Sequence, residues 1–181
     1  MTRIAILFAL TLLWACSGDS SKTEASSLPD SGEQKERIDE LEVIVENDTL
    51  RNDLVSRQRL LNAYTDYSNK FREDELSPEY LFRAAKLAIE MGKSRNAIDY
   101  LTNLHDGFPE YKKRTEAAFL VGFIYETMLN DRIMAQKAYE KVVELYPDTQ
   151  WAEDAKASIN LLYMTDEQKI QFFMEKNQQP S

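Results

Sequence analysis

Apolar residues recur along the chain at helical spacing, and the whole pattern then repeats as a larger unit. Within a unit, four apolar positions are spaced 4, 3 and 4 residues apart, which places them on one face of an α-helix. The unit occurs three times, with periods of 37 and then 38 residues. The three stripes are Leu60, Tyr64, Tyr67 and Phe71; Ala97, Leu101, Leu104 and Phe108; and Ala135, Tyr139, Val142 and Tyr146.

A partner helix is predicted before the second stripe, before the third, and after the third. The apolar faces of these helices are Leu81, Phe82, Ala85 and Ala88; Ala118, Phe119, Gly122 and Tyr125; and Ala155, Ile159 and Leu162. Small Ala85 and Gly122 stand where two helices of a hairpin approach most closely. The sequence therefore predicts a stack of helix pairs that bury their faces only against neighbours.

The predicted helix ends follow from local residue chemistry. Ser77 and Pro78 suit the cap and the first turn of one helix. Gly92 suits its end, and Ser94 suits the cap of the next helix. Arg72 follows the first stripe, where the other two stripes are followed by proline.

Two flanking helices are expected to complete the stack. Ile38, Leu41 and Val45 form an apolar stripe that predicts an N-terminal docking helix, before a helix that starts near residues 48–49. At the other end, Thr165 to Gln168 has the capping-box pattern. Ile170, Phe172, Phe173 and Met174 follow it, and this helix is expected to cover the open end. An exposed binding patch at Phe172 and Phe173 is the alternative.

The first sixteen residues have the features of an export signal. Arg3 precedes an apolar run from Ile4 to Leu13, and the run is too short to cross a bilayer. Leu13, Trp14, Ala15 and Cys16 resemble a bacterial lipobox, which implies cleavage before Cys16 and attachment of diacylglycerol, with acyl chains such as palmitate, to its thiol. The alternative is an ordinary signal peptide, in which Cys16 is lost or left as a free thiol.

These observations divide the chain into four parts. Residues 1–15 are predicted as signal peptide, 16–34 as a lipid-anchored disordered tether, 35–176 as the helical domain and 177–181 as a tail. The tether is predicted because this stretch is rich in serine and poor in large apolar residues. Within the domain, the clearest repeats are expected at about 78–109 and 115–147.

Charge and chemistry narrow the functional classes. The net charge of −9 argues against binding nucleic acid or anionic lipid by electrostatics. With one cysteine and one histidine, His105, the usual nucleophile systems and zinc sites are not expected. An enzyme with paired carboxylates would need an acid whose pKa is raised by apolar surroundings, and only Glu90 and Glu126 stand among apolar residues. Such an enzyme is therefore disfavoured. The prediction is a protein without catalysis, cofactor or metal, with His105 at a surface helix end.

Several positions resemble the tetratricopeptide repeat family. Gly122, Tyr125, Ala135, Tyr139 and Pro147 match its pattern, as do Ala85, Ala97, Leu101 and Pro109. The resemblance covers roughly residues 50–164. It departs from the family in lacking the early tryptophan and in a period above 34, with extra residues in 110–114 and 149–152. It implies an all-α, TPR-like α-solenoid of antiparallel helix pairs.

The segments GFIYE, AQKAYEKVVELYPDTQWAEDA and MTDEQKIQFF look like those of small tetratricopeptide lipoproteins of Gram-negative envelopes. That class includes the lipoprotein of the β-barrel assembly machine and a periplasmic coordinator of division. The resemblance implies a non-catalytic scaffold that binds envelope proteins, on the outer membrane and facing the periplasm or the cell surface. Ser17, in place of an aspartate that retains some lipoproteins in the inner membrane, favours the outer one. Alternatives are an accessory factor in barrel assembly or in envelope and division coordination, and a structural or peptidoglycan-associated lipoprotein.

The same resemblance implies a partner-binding groove along the first helices of successive repeats. Phe119 and Phe123 would be its anchors, and core packing is the alternative for both. The predicted groove residues are Glu79, Phe82, Lys86, Ile89, Glu90, Glu116, Phe119, Phe123, Glu126 and Thr127.

Overall fold

The structure, a computed structural model, describes residues 30–47 and 53–178. Within these ranges every regular element is an α-helix. The helices are α1 (Ser31–Asn47), α2 (Leu54–Lys70), α3 (Ser77–Glu90), α4 (Ser94–Gly107), α5 (Arg114–Thr127), α6 (Arg132–Leu145), α7 (Gln150–Leu161) and α8 (Asp166–Gln178).

Each helix from α1 to α7 packs mainly against its neighbours in sequence. Contacts at both ends of α2 show that the neighbours are antiparallel. Arg57 at its start pairs with Glu90 at the end of α3, while Ser68 near its end donates a hydrogen bond to the carbonyl oxygen of Ser77 at the start of α3. The fold is therefore the predicted all-α solenoid of antiparallel helix pairs.

The three predicted stripes lie on α2, α4 and α6, and each has the same structure. Their first three members are buried in every copy. The fourth member, Phe71, Phe108 or Tyr146, ends its helix with a backbone N–H that bonds the carbonyl oxygen four residues earlier. The sequence repeat is thus a repeat of structure.

Helix α5 is apolar on two sides and separates two cores. Ala117 and Ile124 belong to a larger core built by α1 to α5. Ala118 and Phe119 face a smaller core, which α6 and α7 complete with Ala135, Tyr139, Val142 and Ala155. The predicted docking helix is confirmed, since Ile38 on α1 is fully buried in the larger core, with Leu41 and Val45 packed beside it.

Gly122 is the point of closest approach between α5 and α6. A Cβ atom at this position would lie 2.6 Å from the Tyr139 ring, which is itself fully buried. The Tyr139 hydroxyl donates to Glu126 Oε2 at 2.8 Å, so the ring is held at both ends. The predicted role of a small residue here is confirmed.

Two predicted helix caps are wrong. Ser77 lies inside α3, fully buried, and its hydroxyl donates to the carbonyl oxygen of Phe71. Ser94 is the first residue of α4, and Lys93 before it makes no side-chain capping bond. Gly92 does end α3 as predicted, with φ of 70°. At Ser77 the prediction failed because the carbonyl oxygen of Phe71 gives the hydroxyl another partner.

Helix α1 begins at Ser31, so residues 31–34, which were assigned to the tether, are helical. The Asp30 carboxylate explains the earlier start, because it accepts a hydrogen bond from the Glu33 N–H at 2.9 Å. The signal peptide, Cys16, most of the tether, the helix start near residues 48–49 and the end of the tail lie outside the described residues.

Helix α8 begins with the predicted capping box. Thr165 N–H donates to Gln168 Oε1 at 2.8 Å, and Gln168 N–H donates to Thr165 Oγ1 at 3.3 Å. The side chains of Ile170, Phe173 and Met174 stay about half exposed or more. Phe172 is half-buried and contacts the ring of Phe173. The helix follows the stack, but its apolar side chains remain largely open to solvent.

Replacement of Gly122 by alanine tests the α5–α6 contact. We expect Gly122→Ala to destabilise the protein by about 1–3 kcal/mol, because the added methyl group forces the buried Tyr139 ring to move. Thermal and urea unfolding followed by circular dichroism would measure this. Gly32→Ala, at another helical glycine whose neighbour is the exposed Asp30 side chain, is the control. Equal melting of Gly122→Ala and wild type would contradict the proposed close contact.

Candidate functional site

Glu79 lies at the centre of a polar cluster on one side of the solenoid. It occupies the first turn of α3, whose N-terminal dipole favours a carboxylate. The Tyr111 hydroxyl donates to Glu79 Oε2 at 2.6 Å, and Lys113 Nζ donates to the same oxygen at 3.0 Å. Arg83, one turn further along α3, donates to Glu79 Oε1 at 3.3 Å. One carboxylate therefore holds the α4–α5 loop against α3.

The cluster continues towards the N-terminus through Arg83. Its guanidinium donates to Glu42 Oε1 on α1 at 2.6 Å. The same oxygen accepts a hydrogen bond from the Tyr64 hydroxyl on α2, also at 2.6 Å. The chain of contacts thus joins α1, α2, α3 and the α4–α5 loop.

The environment of Glu79 fixes its charge. Partial burial acts to raise the pKa of this carboxyl, but hydrogen bonds from Tyr111, Lys113 and Arg83 outweigh it and lower the pKa to about 2. Burial and the bond to Glu79 raise the pKa of the Tyr111 hydroxyl. At neutral pH the carboxylate is an acceptor and the hydroxyl is a donor, so both are fixed in these roles.

An open groove of about 1020 Å³ adjoins this cluster. Two loops that connect successive repeats form its walls, residues 72–76 and 107–113, and Pro78, Glu79 and Arg83 on α3 form the rest. The groove therefore spans two repeats.

Arg72 bridges the two walls of the groove. Its guanidinium carbon is 5.4 Å from the centre of the Phe108 ring, a cation–π contact. It also fills the space beside Gly107, where a Cβ atom would lie 2.4 Å from Arg72 Nη2. The residue that replaces the proline of the other copies therefore reaches across to the next repeat.

The groove carries charges of both signs. Arg83 and Lys113 are paired with Glu79, while Arg72 and Lys112 form no ion pair with another described residue. Glu73, Glu75 and Glu110, all exposed, stand on the same loops. Paired groups keep the shape of the groove, and the remaining charges are available to a ligand.

Among the ten predicted groove residues, only Glu79 lines this groove. Phe82 was predicted to line the groove, and this is wrong. It is buried in the larger core, 2% exposed, with the ammonium group of Lys113 over its ring. Ile89 packs against the same core. Lys86, Glu90 and Thr127 are exposed and Glu116 is half-buried. Glu90 pairs with Arg57, and Glu126 accepts the Tyr139 hydrogen bond.

The two predicted anchors differ in environment. The Phe119 ring centre is 5.2 Å from that of Tyr139 and 5.1 Å from that of Trp151, so Phe119 packs against the smaller core. Phe123, one turn later on α5, is 40% exposed. Of the two, Phe123 is the side chain that a partner can reach most readily.

Four residues line the groove but were not among the predicted groove residues: Arg72, Tyr111, Lys112 and Lys113. They lie in connecting loops, whereas the predicted residues lie on helix faces. Two signals pointed to them: the extra residues at 110–114 that lengthen the repeat, and the arginine in place of proline at position 72.

His105 is buried, which corrects the prediction of a surface residue. It lies in the last turn of α4, as predicted, but is 7% exposed. Its Nδ1 is 2.7 Å from Asp106 Oδ1, and its Nε2 is 2.8 Å from the Tyr146 hydroxyl on the next repeat. Arg114 Nε donates to its carbonyl oxygen at 2.8 Å. These contacts make His105 a junction between α4, α5 and α6.

In residues 30–47 and 53–178, no group of three or more His, Cys, Asp or Glu side chains is placed to hold a metal ion. None of the described helices is long and apolar enough to cross a membrane.

The fold and the groove define a helical-repeat solenoid with an open surface for a ligand. Residues 79–111 match the family model described as "Tetratricopeptide repeat". A solved structure titled "Crystal structure of MamA" is similar, with 20% sequence identity, a TM-score of 0.43, and coverage of 76% of this chain and 84% of that one. No match to a curated protein was found.

The Glu79 cluster predicts a specific pH dependence. Glu79→Gln should lower the free energy of unfolding by about 1 kcal/mol at pH 7, because charge-assisted bonds become neutral ones. The native pKa is about 2 against an ordinary 4.5, so the stabilisation is present above pH 5 and is lost as pH falls towards 2. Urea unfolding of both proteins from pH 7 to pH 2.5 should show the difference narrowing in acid.

The matched control is Glu73→Gln, which neutralises an exposed carboxylate of the adjacent loop. It should leave stability nearly unchanged. A Glu79→Gln difference that stays constant from pH 7 to pH 2.5 would contradict the assigned role of the carboxylate.

Proposed function

We propose that this protein is a non-catalytic scaffold that binds segments of other envelope proteins and is held on the bacterial outer membrane by a lipid on Cys16. The observation that carries the binding role is the open groove between two repeats, in which Arg72 and Lys112 are free of ion pairs among the described residues. The repeat match at residues 79–111 supports the same role, since helical repeats generally present extended binding surfaces.

The shape of the groove favours an extended peptide segment over a small molecule. Its volume of about 1020 Å³ lies at the upper limit of small-molecule sites, and it is open to solvent. The unpaired Arg72 and Lys112 would bind carboxylates of the partner, and exposed Glu73 and Glu75 would disfavour a uniformly acidic segment. Exposed Phe123 on α5 adds an apolar contact outside the groove.

The state of Glu79 supports a binding role over catalysis. A general acid needs a proton near neutral pH, whereas the pKa of Glu79 is about 2. A general base must accept a proton near neutral pH. The Glu79 carboxylate has little affinity for a proton, because Tyr111, Lys113 and Arg83 stabilise its charged form. The most strongly perturbed carboxylate of the groove therefore serves structure.

The anchor rests on the lipobox resemblance at residues 13–16 and on the serine-rich stretch that follows it. Two or three acyl chains hold a protein on a bilayer far more firmly than one. Such an anchor would keep the groove close to proteins embedded in the same membrane.

Crosslinking in intact cells, followed by affinity capture, tests the binding role. We expect Lys112→Glu and Phe123→Ala each to reduce recovery of the crosslinked partner severalfold, with an unchanged melting temperature. The control is Leu145→Ala, which removes a similarly exposed apolar side chain from α6 (47% exposed against 40% for Phe123). Capture of barrel-assembly or division proteins would name the pathway. Recovery of cell wall alone, equal in all variants, would favour the structural alternative.

The anchor has a separate test. Cys16→Ser should abolish incorporation of a clickable palmitate analogue and move the protein from the membrane fraction to the soluble fraction. Wild-type protein that neither carries the label nor sediments with membranes would rule out the anchor.

A further inference from the structure

Several of the exposed apolar side chains among the described residues lie at one edge of the solenoid. Because neighbouring helices are antiparallel, the C-terminal ends of α1, α3, α5 and α7 lie along one edge with the N-terminal ends of α2, α4 and α6, and this edge is here called the turn edge. Large exposed apolar side chains lie there on the facing ends of α1 and α2 and of α5 and α6. They include Ile44, Leu54, Val55, Leu129, Ile133 and Met134, and the exposed fraction is 65% for Ile133, 62% for Leu54 and 61% for Val55.

The opposite edge is different. It holds the α6–α7 loop and the α2–α3 and α4–α5 loops, and the last two form the charged groove. Among the described residues, Leu145 is the one large apolar side chain that is substantially exposed near this edge. Tyr163, 58% exposed between α7 and α8, extends the row on the turn edge. Its hydroxyl donates to Gln136 Oε1 at 2.8 Å, so its ring has one polar end and one apolar face.

We infer that the turn edge lies on the lipid bilayer and immerses these side chains in the interface between headgroups and acyl chains. The inference rests on the proposed lipid anchor, and it adds which part of the protein faces the membrane. A bilayer is the occupant that fits best, because the apolar residues come from the ends of separate helices and not from one concave site. The α3–α4 turn between the two groups has no exposed large apolar side chain, and a flat, fluid surface contacts both groups without shape complementarity.

The length of chain before α1 allows this arrangement. Between Cys16 and Ser31 lie 14 residues, which reach at most about 50 Å when fully extended. Helix α1 has 17 residues, so it is about 25 Å long and separates Ser31 from the turn edge by that distance. An anchor at Cys16 can therefore lie in the bilayer that the turn edge contacts.

Apolar contact, and not charge, would hold the edge on the membrane. The net charge of −9 opposes attraction to anionic lipid. The edge itself carries charges of both signs, because exposed acidic Glu46, Glu90 and Asp131 stand there with exposed basic Arg95 and Arg132. The edge should therefore bind phosphatidylcholine, which is zwitterionic and has no net charge.

Tryptophan fluorescence can test which edge meets the lipid. The chain has two tryptophans, Trp14 and Trp151, so the chain from Cys16 onwards has one, and Trp151→Phe removes it. Into this background we would place Ile133→Trp at the turn edge or Leu145→Trp at the opposite end of the same helix. Cys16 is the only cysteine, so each protein can be coupled there to a maleimide lipid in phosphatidylcholine vesicles.

Brominated acyl chains should quench the Ile133→Trp emission about twofold or more and leave Leu145→Trp unaffected, because an interfacial side chain lies about 5–10 Å deep. The same pair in a background that keeps Trp151 controls for any loss of packing at that site. Equal quenching of both variants, no quenching of either, or quenching of Leu145→Trp alone would overturn the inference. So would a blue shift of Ile133→Trp without vesicles that grows with protein concentration, which would mean that a second copy covers the edge.

Chemical coupling makes this test independent of acylation in cells and of any protein partner. Failure of the quenching experiment would leave the groove and the anchor untouched. If palmitate labelling failed, the proposed anchor that brings the turn edge to the membrane in cells would be ruled out. The fluorescence result would still stand, because it uses chemically coupled protein.

Discussion

Burial between neighbours in sequence is the constraint on which the rest of this structure depends. A single helix pair has an apolar face that only the next pair can cover, so each repeat needs the one beside it. At the α5–α6 contact the constraint is met by a large ring, Tyr139, packed against a residue without a side chain, Gly122. The connecting loops are not subject to this constraint, and the charged groove lies between two of them.

The groove is also a product of this arrangement. Two loops from successive repeats meet only because α3 and α4 hold them one repeat apart. Arg72 and Glu79 then fix the loops across that distance, one by covering Phe108 and the other by binding Lys113. Electrostatic contacts thus define the binding surface, while apolar contacts define the fold.

The fold was predictable because its determinants are periodic. The 4-3-4 stripe is visible in the sequence, and its members from Leu60 to Val142 are buried as expected. The cap at Ser77 was not predictable, because its hydroxyl bonds the carbonyl oxygen of Phe71 and not a backbone N–H of its own helix. The burial of His105 depends on Tyr146, 41 residues away, and local pattern carries no information on such pairs. The groove was missed for a related reason, since loop geometry decides which charges meet.

The presence of two cores that share α5 has a consequence for how the protein comes apart. The smaller core is built by α5, α6 and α7 alone, so its loss exposes one face of α5 and leaves the larger core intact. The chain can therefore open from its C-terminal end and stop at α5, in the manner of a foldon boundary. Amide groups of α6 and α7 would then exchange with solvent through an opening that costs less than global unfolding. The junction that His105 makes with Tyr146 would open in the same step, while the α2–α3 and α4–α5 loops that form the charged groove would keep their structure.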